Sequence, residues 1–482
     1  MIHDQSASLI VGAASVNQHL DDPLLADDAL TLMRRALEAA ADDAGSRRLL
    51  TAADLLLVPQ GTWANPAPTG MIAPWNPAVR TVVAEIGVLQ QTLLNRACVL
   101  VSTGQADVVL VAGGEAKFRA LRAAMAGVVL EDPVAPGKPA ERMVPAHEIL
   151  TREEVERGLP VPARQYAMID TALRGHDGWT RDEHVRHLAD LQARASRVAG
   201  SNPDAWNRQA VDPHAVADAA VVAWPYTKLH CSQWNVDQAA GLIVCNSATA
   251  DRFGIAADRR VFAHVGAESN LMVPMTRRSE IHRSPAIAVS AAAVRTHCGI
   301  DPAEVDHLEL YSCFPAAVRV QAREMAIDLD RPLTITGGMT FAGGPLNNAT
   351  LQALVRMTHV LRDEPAATGM VTNISGMLTK FGVSVWSCTP PRTPFAAIDV
   401  TADATRSTTV VEVEADHHGE AEVATYTVAH DRGVATLGVV VGRTTSGTHV
   451  VASTNDSAMM QSMLDDDWYG KRIYVAGPAI TS

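Results

Sequence analysis

Few cysteines, few aromatic rings, no basic run and no long apolar run mark this 482-residue sequence. Its six cysteines, at 98, 231, 245, 298, 313 and 388, form no CxxC pair and no ladder of short spacings. Neither a disulfide framework nor a zinc site is signalled, and reduced thiols point to the cytoplasm. Lys and Arg number 40 against 53 Asp and Glu, a net charge of −13. An acidic chain without a basic stretch is a poor partner for nucleic acid or an anionic membrane, which leaves room only for a local basic pocket for a phosphate. No stretch approaches about 18 apolar residues, so no membrane span is expected. The N-terminal MIHDQSASLIVGAASV lacks a basic segment, and its apolar part is too short for a signal peptide. What is present, 47% hydrophobic and 19% charged residues, describes a soluble globular protein and rules out a disordered, collagen-like or coiled-coil chain. At about 150 residues per domain, two to four domains are expected.

The apolar pattern alternates short buried strands with helices. Residues 8–12 read as a strand ending in glycine, after which Leu30, Met33, Leu37 and Ala40 share a helical face that Gly45 stops. Residues 53–60 (ADLLLVPQ) read as a second buried strand, 86–101 as a helix, and 107–114 (DVVLVAGG) as a strand closing on paired glycines. Such units with continuously apolar strands imply a parallel α/β sheet. Residues 116–240 differ in character. Thr151 with Glu154 and Thr180 with Glu183 are candidate capping boxes, and Trp179, Trp206, Trp224 and Trp234 all fall in this stretch. It reads as a largely helical excursion over the sheet face where a substrate would lie. The α/β pattern then returns, with strands at 259–267, 307–311, 333–338 and 369–376 and helices at 285–298, from Asp301, and at 347–361.

Gly87, its helix and the strand ending Gly113-Gly114 parallel Gly344, its helix and the strand ending Gly376. Taken alone, the two units fit either an internal duplication or chance recurrence of a common unit. After the linker-like Pro390-Pro391-Arg392-Thr393-Pro394, short alternating β-rich runs recur between turn residues, as in a small all-β sandwich or barrel.

ADVVLVAGGEA, VDQAAGLIVCN, LYSCFPAAV, TITGGMTFAGGP and a Gly-rich last strand occur in the order found in thiolases. Over about residues 8–390 the chain resembles that superfamily. LYSCFP, AWPYTKL with VDQAA, GGPLNN and GMLTKFG make it most similar to the thiolase-like proteins of type 1, relatives of sterol-carrier-protein-type thiolases and acetyl-CoA acetyltransferases that add a C-terminal β domain. The resemblance implies a duplicated five-layered αβαβα fold, CoA-ester ligands and an OB-like barrel. It divides the chain into a first half (1–115 with 241–258), the excursion (116–240), a second half (259–392) and the β domain (393–482).

Acyl transfer on that fold needs a nucleophilic thiolate, an acid/base group and donors for a thioester oxyanion. Counting back 17 residues from Gly104, the spacing the family requires, places Gly87 where the nucleophilic cysteine belongs. Cys98 lies farther along the same helix on its apolar face and reads as core. The family's GHP motif is AGGP here, with Gly344 in place of histidine, and its HDCF motif is Tyr311-Ser312-Cys313-Phe314. The resemblance makes Cys313 the acid/base candidate and Tyr311 an oxyanion donor, against the plainer reading of Cys313 as a buried small residue. In GMLTKFG, Thr379 and Lys380 are offered, and Phe381 stands where close relatives have histidine. Lys380 fits either a partner of a carboxylate or phosphate or a surface lysine. Asn347 and Asn348 would cap a helix or donate to the thioester carbonyl. With Ser312 and Tyr226, the latter beside Lys228 and His230, they complete the candidate substrate-binding set. His184 and His187 read as a solvated helical face rather than a metal site, and His417-His418 as a loop. Arg142, Arg152 and Arg164 are candidates for the CoA 3′-phosphate.

Three functions fit these residues. The first is a CoA- or acyl-CoA-binding protein of lipid metabolism without conventional thiolase activity, with no cofactor and no metal. The second is a retro-aldolase acting on a β-hydroxyacyl-CoA through Tyr311, although the second tyrosine of the sterol side-chain aldolases is matched by Ala349. The third is an assembly role in which the β domain binds a protein partner. A homo-oligomer is compatible with all three.

Overall fold

Strands rich in Val, Leu, Ile and Ala are buried on both faces, and the helices between them each bury one stripe. The computed structural model describes residues 5–135 and 137–481. The first half contains β1 (Ser8–Asn17), α1 (Ala29–Asp43), β2 (Leu55–Pro59), β3 (Arg80–Ala84), α2 (Gln90–Ser102) and β4 (Val108–Ala116). The excursion carries α3 (Pro162–Asp177) and α4 (Arg181–Ser201) before β5 (Asp237–Asn246) completes that half. The second half contains β6 (Val261–Ser269), α5 (Pro285–Cys298), β7 (His307–Glu309), α6 (Pro315–Glu324), α7 (Ala349–Asp363), β8 (Thr368–Ser375) and β9 (Lys380–Ser387).

Strand order shows the duplication. The first half runs β3-β2-β4-β5-β1 and the second β7-β8-β9-β6, so β6, β7, β8 and β9 repeat β1, β2, β4 and β5. In each half the last strand of the sequence is antiparallel to both neighbours. The counterpart of β3 is missing among the described residues, because the strand expected at 333–338 is a loop. Its backbone N–H groups at Ile335 and Thr336, and the hydroxyls of Thr334 and Thr336, donate to the buried Glu309 carboxylate. A side chain satisfies donors that a strand ladder would otherwise satisfy. The helix expected from Asp301 is only a turn.

Leu9 opposite Phe262 and Ile10 opposite Val261 join the halves into one sheet, eleven-stranded among the described residues. Helix α1 packs on β1 and β5 at one outer face, and α5 on β6 and β9 at the other. Between them α2 and α7 each touch strands of both halves, which gives five layers. Leu93, Leu94, Ala97, Cys98, Leu351 and Leu354 share the core between the sheets. The strand at Glu141–Met143 pairs with the edge strand β3, and Arg96 holds Glu141 at 2.6 Å. A second pairing, of Ala396–Asp399 with β6, carries the core sheet past residue 392, and β5 begins inside the 116–240 span.

The C-terminal strands are β10 (His418–Asp431), β11 (Val434–Arg443), β12 (His449–Thr454), β13 (Arg472–Ala476) and β14 (Ala479–Thr481), with α8 (Ser457–Asp465) between β12 and β13. The ring runs β10-β11-β12-β14-β13 and closes on β10, with β12 and β14 parallel. This is the OB arrangement, a closed five-stranded barrel with a helix after its third strand. Ala223 of the excursion pairs with Ala429, so the barrel and excursion share a sheet. Among the described residues, no helix is long and apolar enough to cross a membrane.

Both capping boxes form as read, Thr151–Glu154 over a short helix and Thr180–Glu183 over α4. His184, however, is fully buried and not on a solvated face. Its Nε2 lies 3.2 Å from the Asp170 carboxylate, which Arg319 also meets and to which Tyr226 donates at 2.7 Å. Burial would raise the Asp170 carboxyl, but Arg319, His184 and Tyr226 together hold it well below its ordinary value. Replacing Asp170 by Ala strands a buried guanidinium and should cost about 3–5 kcal/mol, read from the urea midpoint. The carboxylate's contribution is present above the unfolded-state pKa and is lost as pH falls through it towards the lower folded value. Unfolding of the native chain and the variant should therefore converge in acid; an unchanged midpoint at pH 7 would remove Asp170 from this role.

Candidate functional site

Loops from both halves meet at the N-terminus of α2. That helix begins at Gln90, four residues later than the pattern suggests, because Leu89 is extended and Gly87 has φ +104°. Gly87 therefore sits in the turn ahead of the helix. A Cβ there would adopt a conformation L side chains avoid and would lie 3.2 Å from Pro145. The Gly87 carbonyl accepts a hydrogen bond from Lys380 Nζ at 2.9 Å. Lys380 is only 2% exposed, so the surface-lysine reading is corrected: as the first residue of β9 it turns inward beneath α2. Among the described residues no carboxylate pairs with it, and desolvation lowers its pKa.

The same helix end is tied to the second half. Asn373 donates to Thr350 at 2.9 Å, and the Thr350 N–H donates to Gln90 Oε1 at 2.9 Å. Neither Asn347 nor Asn348 caps α7 with its side chain. Asn347 donates to the Gln60 carbonyl at 3.0 Å, while both amide atoms of the buried Asn348 lack a partner. Asn348 lies against Gly113, where an added Cβ would come within 2.7 Å of its Oδ1.

Gly344 is packed against side-chain ends of the excursion and of the Met339 turn. A Cβ there would lie 2.4 Å from Ser232 Oγ and 3.3 Å from Met339 Cε. The Ser232 N–H donates to the Cys313 carbonyl at 3.1 Å, which brings the excursion onto the Tyr311–Phe314 segment. Burial pushes the Cys313 thiol up to about 12 despite a contact with Tyr166, and the same cause takes Cys98, Cys231 and Cys245 up to about 12. Burial therefore disfavours the thiolate form at each of them. The Tyr311 phenol is also raised, by burial and then by Cys313. Ser312 Oγ accepts from the Met339 N–H at 3.0 Å.

Tyr226 does not line the space beside Cys313. It is fully buried, its hydroxyl donates to Asp170, and it accepts from the Ala316 N–H at 3.0 Å, so its polar atom is used in the scaffold. His230 turns back on Thr227. The three phosphate candidates do not converge: Arg142 meets Glu85, Arg152 meets Glu156, and Arg164 donates to the Gly158 carbonyl. His417 pairs with Glu414 at 2.8 Å. Among the described residues no group of three or more His, Cys, Asp or Glu could hold a metal ion. Tyr166, Asp170, Arg319 and Glu309, which shape the Tyr311 loop from behind, carry no motif or spacing that would have selected them.

This geometry can be set beside known proteins. Residues 400–477 match the family described as the thiolase-like protein type 1 additional C-terminal domain. The crystal structure of a monomeric SCP2-thiolase like protein type 1 from Mycobacterium smegmatis superposes with TM-score 0.83 and 22% identity, covering 99% of this chain and 98% of that one. The fold is that of the thiolases. An Ltp2-ChsH2(DUF35) aldolase aligns at TM-score 0.61 and 16% identity over 80% of this chain and 98% of that one. Acetyl-CoA acetyltransferase from Syntrophomonas wolfei aligns at 0.56 and 16% over 79% and 99%. No curated protein sequence matches.

Restoring the cysteine alone should not restore a thiolase site. Gly87→Cys is expected to lower stability by about 1–3 kcal/mol, because it forces a positive φ and presses on Pro145. It should also form no acyl adduct in intact-mass spectra after incubation with acetyl-CoA. A stable, acylated variant would refute this account of Gly87.

Proposed function

We propose that the protein binds CoA thioesters in lipid metabolism, in the cytoplasm, without conventional thiolase chemistry. One observation carries the reading: Gly87, which the resemblance sets at the place of a thiolase nucleophile, has its carbonyl held by the buried Lys380. Three further observations support it. Ser232 and Met339 pack against Gly344, burial raises the thiols, and Asn348 keeps unpartnered amide atoms beside Gly113. The Asn348 amide and the Tyr311 phenol suit a thioester carbonyl that is bound but not attacked. Loss of nucleophile and base together would cost several orders of magnitude in acyl transfer.

A thermal-shift titration of the full chain with CoA, acetyl-CoA and longer acyl-CoAs tests the binding. At a hundred times Kd the expected stabilisation is about 2.7 kcal/mol; no change in Tm with any thioester sinks the proposal. After acetoacetyl-CoA, intact-mass spectra should show every cysteine unmodified, and an adduct on Cys313 would restore the thiolase reading.

A second reading is retro-aldol cleavage of a β-hydroxyacyl-CoA with Tyr311 as the base or acid. The structural likeness to the aldolase is compatible with it, and Ala349 in place of a second tyrosine weighs against it. Turnover of such a substrate that vanishes in Tyr311→Phe would put this reading first. A protein partner for the β domain is compatible with either.

A further inference from the structure

The Tyr311 segment has a second face. Its alternation sends Leu310 and Ser312 away from Cys313 into a crevice of about 400 Å³ between α4 and the second half of the fold. The floor and walls are apolar: Leu191, Val198, Leu310, Val318, Leu333 and Met339. Gly87, Gly344, Cys313 and Lys380 do not line it, and it shares only Ser312 and Met339 with the groups named around the thiolase-like site. Its volume falls in the range of small-molecule pockets, roughly 300–1,000 Å³.

Two polar groups around this crevice, Thr340 and Arg197, have no partner among the described residues. Thr340 is buried, lines the crevice, and its hydroxyl has no hydrogen-bond partner. Arg197 stands at the mouth, where no carboxylate pairs with it among the described residues. Arg194 has one loose partner, Asp330, at 3.6 Å, and that aspartate is 94% exposed. Arg331 is engaged with the carbonyls of Ala303 and Val305, so it supplies positive charge but no free donor arm. One exposed aspartate against three guanidiniums leaves the mouth positive.

An apolar cleft whose mouth carries net positive charge, with Arg197 unpaired and Arg194 loosely paired, selects a ligand with an apolar body and an anionic acceptor. We infer that the crevice binds a medium-length aliphatic carboxylate, its chain along Leu191, Val318, Leu333 and Met339 and its carboxylate at Arg197 and Arg194. The inference goes beyond the CoA-thioester proposal and rests on residues other than Gly87, Cys313 and Lys380, although Met339 also packs against Gly344.

Isothermal titration of the full chain with sodium decanoate, below its micelle concentration, is the test, with decanol as the uncharged control. Decanoate should bind one per chain and at least about tenfold more tightly than decanol. Substituting both arginines, Arg194→Gln with Arg197→Gln, should weaken decanoate about tenfold and leave decanol unchanged. Val198→Trp, which fills the crevice from a half-exposed helix position, should abolish binding of both while Tm is kept. Absent decanoate binding, equal affinity for decanol, or undiminished affinity in the double variant would each overturn the assignment. The CoA thermal shift read on the Val198→Trp protein separates the two proposals. A retained CoA shift with lost decanoate binding supports two sites, whereas decanoate binding without any CoA shift leaves the crevice standing and removes the thioester reading.

Discussion

Asp170 has no contact with solvent, and its two carboxylate oxygens meet a guanidinium, an imidazole and a phenol. Each of those partners comes from a different part of the chain. His184 belongs to α4, Arg319 to α6 in the second half, and Tyr226 to the two-residue strand that follows the barrel-paired strand of the excursion. Tyr226 in turn accepts from the Ala316 N–H, at the start of the helix that follows Tyr311–Phe314. The rings of Tyr226, Phe314 and Tyr166 stack in series, with centroids 5.8 and 4.8 Å apart. A buried ion of this kind is weak evidence for stability, since desolvation opposes the Coulomb gain. Its consequence here is positional: once the excursion is pinned to α6, the Tyr311 loop has one place to go, with a thiolase-like site on one side and the crevice on the other.

The duplication explains why that loop is free to serve two faces. In the first half β2 lies between β3 and β4, and its residues are locked by ladders on both sides. In the second half β7 has a ladder only with β8 among the described residues, and the segment that would have been its other neighbour is held by Glu309. A carboxylate accepting from a loop fixes a few donors without requiring a neighbouring strand of continuous backbone. The space a third strand and its connections would fill is where Leu333, Thr334 and Thr340 line the crevice against α4. The barrel stabilises the same region from outside, since Arg174 of α3 reaches Asp467 at 2.6 Å.

Most of the scaffold was legible because it rests on runs of one residue class. Apolar strands such as VVLVA, capping boxes at Thr151 and Thr180, and Gly45 as a helix stop act locally, and each element formed near its expected place. The segment 333–338 failed because LTIT has strand character, while the group that decides its fate, Glu309, lies 24 or more residues earlier and acts through a side chain. The same limit applies at the site. Gly87 and Gly344 stand in the sequence as bare glycines, but the neighbours that crowd a side chain there, Pro145 and Ser232, are brought by tertiary structure. Lys380 has the composition of a surface residue, and only the register of β9 against β8 shows that it turns inward.

A lysine in that place changes what the site can retain. A thiolase holds a thiolate at the helix end, where the positive end of the dipole favours the anion. With glycine there, the helix end has no anion to stabilise, and Lys380 adds a second donor to the same side, its bond to the Gly87 carbonyl filling the gap. Two positive ends facing each other would repel if the amine stayed fully charged, and desolvation lowers its pKa in the direction that relieves this. A side chain at residue 87 would need a different backbone turn and would press on Pro145, and the residue's carbonyl already holds Lys380. Residue 87 is thus tied to the packing of both halves.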